Sequence, residues 1–262
     1  VKDVNDIPRI FKEAFYIATS GRKGPVLIDI PLDVQNARIG NFEYPEEISL
    51  RTYKPTVMGH PQQIKRVIHE LQKSKRPIIC VGGGVALSQA DKELIAFAEH
   101  HRIPVVSTMM GIGIMPTKHP LYFGMVGNNG KPYANRAMNE ADLIIMAGAR
   151  VADRAISQPD LIFDNKVLVH MDVDPAEIGK NVGPTLPLVG DAKHIFKDFE
   201  EQEFYCDSDA WVEQLNGYRS EMELKRKEHP GYVDPAAFIA RLSEKMEDDA
   251  VSVADVGQNQ NW

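Results

Sequence analysis

Residues 141–154, ADLIIMAGARVADR, decide the fold, because an apolar run from Leu143 to Ala147 leads directly into Gly148 and two arginines, Arg150 and Arg154. A continuous apolar run of this kind is typical of a strand buried on both faces of a parallel sheet. Ligands of open α/β sheets bind beyond the carboxyl ends of the strands, where a guanidinium group can hold a phosphate or carboxylate. The stretch predicts an anion site at a sheet edge, and the alternative is two arginines in surface salt bridges.

The flanking sequence repeats the alternation of strand and helix. Apolar runs predict strands at 77–81, 104–107, 142–147, 166–172 and 186–189, and 3.6-residue periodicity predicts helices at 61–73, 89–101, 132–139, 175–180 and 192–199. This order predicts a doubly wound, Rossmann-like (DHS-like) α/β domain over residues 61–200, with about six mostly parallel strands.

The ends of the chain predict pieces of further domains. Residues 1–35 contain a helix at 7–20 and a strand at 26–30 without a sheet, and residues 36–60 have the composition of a linker. Residues 201–231 contain a connecting helix at 209–227. Residues 232–262 contain a helix at 235–246 and a strand at 250–256, so we expect an excerpt from a longer enzyme.

Composition excludes several classes of protein. The 262 residues carry a net charge of -7, whereas nucleic acids and acidic membranes are bound by clustered basic residues. Two cysteines, Cys80 and Cys206, give neither a disulfide framework nor a metal motif. No apolar run approaches the roughly 18 residues that span a bilayer, and no signal peptide is visible. We expect a cytoplasmic protein that binds neither nucleic acid nor membrane.

Five strand ends are followed by glycine-rich or polar loops. Gly82, Gly83 and Gly84 follow the first strand, but Leu87 stands where the dinucleotide fingerprint has its third glycine, which disfavours NAD. The glycines could equally be structural turn residues. The other loops are 108–111, 124–130, 172–177 and 190–192. Together they predict a groove for an extended nucleotide. The eight histidines show no metal-ligand spacing, and the GxSxG and P-loop motifs are absent.

Stretches throughout the chain resemble one enzyme family. They are residues 14–22 (AFYIATSGR), 24–31 (GPVLIDIP), 148–154 (GARVADR), 172–178 (DVDPAEI) and 255–260 (DVGQNQ). The chain resembles the large catalytic subunit of the acetohydroxyacid synthase (acetolactate synthase) family, which depends on thiamine diphosphate. The resemblance covers the middle of three α/β domains and the edges of its neighbours.

The resemblance implies a transferase of branched-chain amino acid biosynthesis. Such enzymes decarboxylate pyruvate and join the product to a second 2-ketoacid, pyruvate or 2-ketobutyrate. The implied cofactors are thiamine diphosphate, Mg²⁺ and FAD, and the implied assembly is a homodimer or homotetramer with a possible small regulatory subunit. The catalytic glutamate would lie before Val1 and the GDG…N metal motif after Trp262, so the 262 residues alone are expected to be inactive.

The resemblance also assigns site residues. Arg154 would receive the carboxylate of the second ketoacid, and Gln258 would contact thiamine diphosphate. The residues assigned to the flavin groove are Arg22, Gly82, Gly83, Gly84, Thr108, Met109, Gly127, Gly148, Arg150, Asp172, Val173 and Asp191.

Some positions depart from the family pattern. Leu32 replaces a common lysine and Asn128-Asn129 replaces Met-His, both at the border of the substrate channel. Asn259 and Val151-Ala152 also differ, the latter beside the flavin. Acceptor preference and inhibitor sensitivity are therefore open. The alternatives are a pyruvate oxidase or another thiamine-dependent carboligase, a non-catalytic nucleotide-binding module, and a nicotinamide dehydrogenase, which Leu87 disfavours.

Overall fold

Six parallel strands form one sheet in the computed structural model, which describes residues 1–183, 185–222, 231–247, 249–255 and 257. The strands are β1 (Pro77–Val81), β2 (Val105–Ser107), β3 (Tyr122–Met125), β4 (Leu143–Ala147), β5 (Val167–Asp172) and β6 (Leu186–Val189). Their order is β3-β2-β1-β4-β5-β6, and every neighbouring pair is parallel. The predicted doubly wound α/β sheet is therefore confirmed.

Ten α-helices are found in the described residues, and those of residues 61–200 pack against the sheet. The ten helices are α1 (Ile7–Thr19), α2 (Leu32–Asn36), α3 (Pro61–Lys73), α4 (Gly83–Leu87), α5 (Asp91–His101), α6 (Pro132–Glu140), α7 (Pro159–Phe163), α8 (Ala192–Glu200), α9 (Asp209–Met222) and α10 (Pro235–Ser243). Residues 1–219 form one compact unit and residues 220–262 a second, which contains α10. None of the described helices has the length and apolarity needed to cross a membrane.

The central strands are buried because both faces of the sheet are covered. Every residue of β1 and β4 is buried, as their unbroken apolar sequences predict. The helices bury the apolar stripes that the sequence periodicity predicts, for example Ile64, Val67, Ile68 and Leu71 of α3. The assignment of the flanking residues to neighbouring domains of a longer enzyme stays a prediction.

Helix α9 contacts the outer edge of β3 through Arg219. The guanidinium of Arg219 lies 4.2 Å from the centre of the Phe123 ring and donates a hydrogen bond of 2.6 Å to the backbone oxygen of Tyr122. Tyr218 of the same helix donates to Glu140 at 2.5 Å and stacks beneath Arg136 of α6, 3.7 Å from the ring centre. These contacts hold α9 against α6 and the edge strand.

Two predicted strands do not form. Residues 26–30 have no strand, and Leu27 is 91% exposed. Residues 250–255 also have none, whereas Val256 lies outside the described residues. The β-branched composition of these segments favours a strand, but a strand also needs a neighbour to receive its backbone hydrogen bonds.

Three local predictions were wrong in detail. Residues 175–180 form successive turns instead of a helix, because Gly179 takes a left-handed φ of +69°. Residues 124–125 belong to β3 instead of a loop, since the register shift between β2 and β3 accommodates Gly124 at φ +87°. The glycine run begins α4, and Gln89 at φ +53° separates α4 from α5.

Most predicted helix bounds agree with the structure within a few residues. The connecting helix begins at Asp209 as predicted and continues to Met222, whereas residues 223–227 lie outside the described residues. The helix predicted at 235–246 ends at Ser243. Neither α2 nor α7 was predicted, since helices of five residues carry too little periodicity to be detected.

An aromatic cluster packs around a buried histidine. His101, at the end of α5, lies 4.0 Å from Phe204 and 4.9 Å from Phe97, measured between ring centres. Its Nε2 atom is buried, and no residue that the structure describes offers it a hydrogen bond. Burial, with a smaller contribution from His100, lowers the pKa of His101 to about 4. The neutral imidazole is therefore the form that this cluster holds.

His101→Phe is expected to reduce the loss of stability in mild acid. The unfolded chain protonates His101 near its ordinary pKa of 6.5 and the folded chain only near 4, so stability is lost as the pH falls through that window. The loss from this group is at most about 3 kcal/mol. Urea unfolding at several pH values measures it. His69→Gln, at an exposed histidine on α3, is the control, and equal pH slopes for wild type and His101→Phe would contradict the prediction.

Candidate functional site

The carboxyl ends of the parallel strands share one edge of the sheet. There, glycines extend the backbone hydrogen bonding between neighbouring strands by one residue. Gly82 N–H donates to the Ala147 oxygen at 3.0 Å, Gly148 N–H to the Met171 oxygen at 2.9 Å, and Gly190 N–H to the Asp172 oxygen at 3.0 Å. The loops that follow the strands form the rim, defined as residues 82–84, 108–111, 126–130, 148–154, 172–180 and 190–191. Ligands of doubly wound sheets bind at this edge.

Backbone contact joins the loops after β1 and β4. Gly84 N–H donates to the Gly148 oxygen at 2.9 Å. A Cβ atom at Gly84 would lie 2.7 Å from Gly148 Cα, one at Gly82 would lie 2.6 Å from Ala149 Cα, and Gly148 itself has a φ of +55°. The glycines are therefore required for packing. The flavin contacts predicted for Gly82, Gly83, Gly84 and Gly148 remain predictions.

The loop after β2 presents apolar side chains. Thr108 is buried, and its N–H donates to the Val81 oxygen at 2.9 Å. The next two residues, Met109 and Met110, are 62% and 73% exposed. Flexible thioether side chains on a rim can cover a flat apolar or aromatic ligand.

The loop after β3 is fixed by a side chain that sequence reasoning missed. Asn135 Oδ1 accepts from Gly127 N–H at 2.8 Å, and Asn135 Nδ2 donates to the Gly127 oxygen at 2.9 Å. Asn128 N–H donates to the Arg154 oxygen at 3.2 Å, so this loop is joined to the loop after β4. No signal in the sequence distinguishes Asn135 from other polar residues at the start of a helix.

The two arginines of the loop after β4 are exposed. Neither Arg150 nor Arg154 has an ion-pair partner among the residues that the structure describes. The alternative of two ordinary surface salt bridges therefore finds no support in the described part of the chain. Two exposed guanidinium groups remain able to bind an anion at the carboxyl end of β4.

The loop after β5 carries three carboxylates and binds Arg22. Burial raises the pKa of Asp172, whose carboxylate accepts from the Asp174 N–H at 2.9 Å. A hydrogen bond from Arg22 lowers the pKa of Asp174, and hydrogen bonds from Lys180 and Arg22 lower the pKa of Glu177. This part of the rim is acidic and suits hydroxyl or amino donors of a ligand more than phosphate. Val173 lies between Asp172 and Asp174 and is partly exposed.

Asp191 serves as the N-cap of α8. Its carboxylate accepts from Lys193 N–H at 2.9 Å, and its own N–H donates to the Val57 oxygen at 2.8 Å. The structure thus brings the predicted residues to one rim, with Arg22 reaching it from the segment after α1. Gln258 lies outside the described residues.

A cleft of about 440 Å³ lies between the loop after β3, α6 and the segment that leads from Ala155 into α7. Its apolar lining includes Val126, Met138, Ile156 and Ile162, and its polar lining includes Asn128, Asn139, Ser157 and Gln158. Gly127 is the predicted site residue that contributes to it. In the part of the chain that the structure describes, no group of three or more His, Cys, Asp or Glu side chains could hold a metal ion.

Residues 64–199 match the family model described as thiamine pyrophosphate enzyme, central domain. The match covers more than half of the chain and all six strands of the sheet. The chain therefore belongs to the family of thiamine pyrophosphate enzyme central domains.

Several curated proteins that are similar to this chain are large subunits of acetolactate synthase. The chain is 37% identical over 99% of its length to the acetolactate synthase large subunit of Haemophilus influenzae, and 39% identical over its whole length to that of Corynebacterium glutamicum. It is 36% identical over 99% of its length to the large subunit of acetolactate synthase isozyme 3 of Escherichia coli. The chain spans slightly less than half of these relatives, 47%, 43% and 47% respectively.

A solved structure supports the fold. The X-ray structure of a candidate thiamin diphosphate-dependent enzyme from Mycobacterium smegmatis superposes with a TM-score of 0.64. The match covers 80% of this chain and 39% of the other at 23% identity. At that identity the likeness concerns the fold alone.

Gly82→Ala is expected to destabilise the protein by about 1–3 kcal/mol, because the new methyl group would overlap the backbone of Gly148 and Ala149. Gly217→Ala in α9 is the control, since its added methyl group meets open space and is expected to stabilise the helix by up to about 1 kcal/mol. Chemical denaturation measures both. Equal stability of the Gly82→Ala variant and wild type would contradict the close approach.

Proposed function

We propose that the chain is the central, nucleotide-binding part of an acetolactate synthase large subunit, together with the segments that adjoin it. Relatives that carry this name match the chain from end to end. The proposed reaction decarboxylates pyruvate and joins the remaining two-carbon unit to a second 2-ketoacid, pyruvate or 2-ketobutyrate. The product would enter branched-chain amino acid biosynthesis.

The observation that carries this proposal is the exposed pair Arg150 and Arg154 beyond β4. A 2-ketoacid offers a carboxylate, and a guanidinium group can bind both of its oxygens at once. We assign Arg154 to the carboxylate of the second ketoacid, which it would hold and orient for the coupling step. We assign Arg150 to a phosphate of the nucleotide.

The chemistry of the rim fits FAD. Exposed Met109 would cover the flat ring, Arg150 would bind the diphosphate, and the acidic residues after β5 would accept hydrogen bonds from ribose or adenine. FAD can accept and donate electrons, but the part we propose for it here is structural. Arg22, Thr108, Gly127, Val173 and Asp191 complete the proposed contacts.

The remaining parts of the proposal follow from the family. Thiamine diphosphate supplies the chemistry of decarboxylation when it is bound, and we assign Gln258 to it, with Mg²⁺ holding the diphosphate. We infer a cytoplasmic homodimer or homotetramer that can bind a small regulatory subunit. Both cysteines are free and buried, which agrees with a reducing compartment.

Arg154→Lys in the full-length enzyme is expected to reduce coupling to the second ketoacid far more than decarboxylation of the first. Lysine keeps the charge but cannot form paired hydrogen bonds. The expected loss is about 1.5–3 kcal/mol, or roughly ten- to a hundredfold in rate. Acetolactate formation and pyruvate consumption, measured on the same preparation, separate the two steps.

Arg150→Lys is the matched variant on the same loop. It is expected to lower the amount of bound FAD, read from flavin absorbance, and to leave the choice of acceptor nearly unchanged. Loss of flavin in both variants with normal acceptor use would make Arg154 a cofactor ligand. A full-length protein that binds neither endogenous nor added FAD would overturn the flavin assignment.

A further inference from the structure

Residues 20–24, the strap, connect α1 to the rim in a fixed conformation. Tyr53 donates from its hydroxyl to the Ser20 backbone oxygen at 2.9 Å. Gly21 has a φ of +52° and lies so close to Tyr53 and Pro55 that an added Cβ atom would be 2.8 Å from each. Gly24 N–H donates to the Ala18 oxygen at 3.1 Å, which closes the turn after α1.

Two side chains of the strap reach loops on opposite sides of β4. Lys23 Nζ donates to the Leu87 oxygen, at the end of α4 and therefore after β1, at 2.6 Å. Arg22 Nη1 donates to Asp174 and Glu177, after β5, at 2.9 Å each. Because β1 and β5 flank β4 in the sheet, these contacts join the strap to the loops on either side of the loop that follows β4.

The carboxylates are the rigid partners of this contact. The Glu177 side chain is only 8% exposed and also accepts from Lys180 Nζ at 3.0 Å. The turn that carries it is fixed by Gly179 N–H, which donates to Nδ1 of buried His170 at 3.3 Å. The Arg22 side chain is 48% exposed, so the buried carboxylate determines the position of the arginine.

We propose that Glu177, assisted by Asp174, is a positioning residue that holds Arg22 on the rim at the loop that follows β5. These two contacts use Nη1 of Arg22, and within the described part of the chain Nη2 and Nε have no hydrogen-bond partner and can donate to a ligand on the rim. The role in ligand binding rests on the proposed function, whereas the position of the strap does not.

A double-mutant cycle on the full chain tests the role in binding, with FAD as the probe and flavin fluorescence as the signal. Glu177→Gln is expected to raise the Kd for FAD about five- to thirtyfold. This increase is smaller than the one expected from losing a fully buried charged hydrogen bond, because solvent screens the half-exposed Arg22. Arg22→Gln should do the same, and the double variant should bind no more weakly than Arg22→Gln alone. Glu70→Gln, which removes a 3.0 Å ion pair to Lys73 on α3, should bind as wild type.

The proposal would be overturned if the increases in Kd of the two single variants multiplied in the double variant. It would also be overturned if Glu177→Gln bound FAD with the affinity of the wild type. Asp174→Asn removes the less buried partner and is expected to give a smaller loss in the same direction; it replaces Glu177→Gln in the cycle if that variant does not fold.

Hydrogen exchange of the ligand-free chain tests the position of the strap. Amides of residues 20–24 should exchange faster in Glu177→Gln than in Glu70→Gln, with β5 unchanged. Equal exchange would overturn the positioning role. Failure of the wild-type chain to bind FAD would count against the proposed function, and the exchange result would then decide this inference by itself.

Discussion

The close approach of two backbone segments at the carboxyl edge of the sheet is the constraint on which the rest of the site depends. Gly82 and Gly84, after β1, lie against Gly148, after β4, and the distances leave no room for a side chain. This contact occurs where crossovers from β1 and β4 leave the sheet in opposite directions. It sets the starting point of the loop that carries Arg150 and Arg154, so the positions of the exposed guanidinium groups follow from the absence of three Cβ atoms.

Charge is distributed unevenly along the rim. Exposed guanidinium groups follow β4, whereas three carboxylates follow β5 and are partly neutralised by Arg22 and Lys180. A ligand with an anionic end and a hydroxyl-bearing end would be oriented by this difference, because each end would meet complementary groups. The exposed methionines after β2 add a third, apolar region on the same edge.

Sequence patterns predicted the strands and helices whose own apolar residues show which positions are buried. The apolar runs of β1, β4 and β5 and the periodicity of α3 placed these elements within about two residues of their bounds, since burial on both faces leaves a strong signal. Residues 26–30 show the limit: their composition suits a strand, but pairing depends on partners elsewhere in the chain. The contact of Arg22 with Glu177 joins residues 155 positions apart, and no local pattern contains that information.

The packing of α9 on β3 has a consequence for how this sheet meets other molecules. An edge strand carries unpaired backbone groups that can recruit a strand from another chain. Arg219 donates a hydrogen bond to the backbone oxygen of Tyr122 and lies over the Phe123 ring. One backbone acceptor on this edge is therefore already paired with a side chain. The Arg219 contact therefore hinders the addition of a strand from another chain at this position of β3, which is the kind of edge-to-edge pairing that begins aggregation.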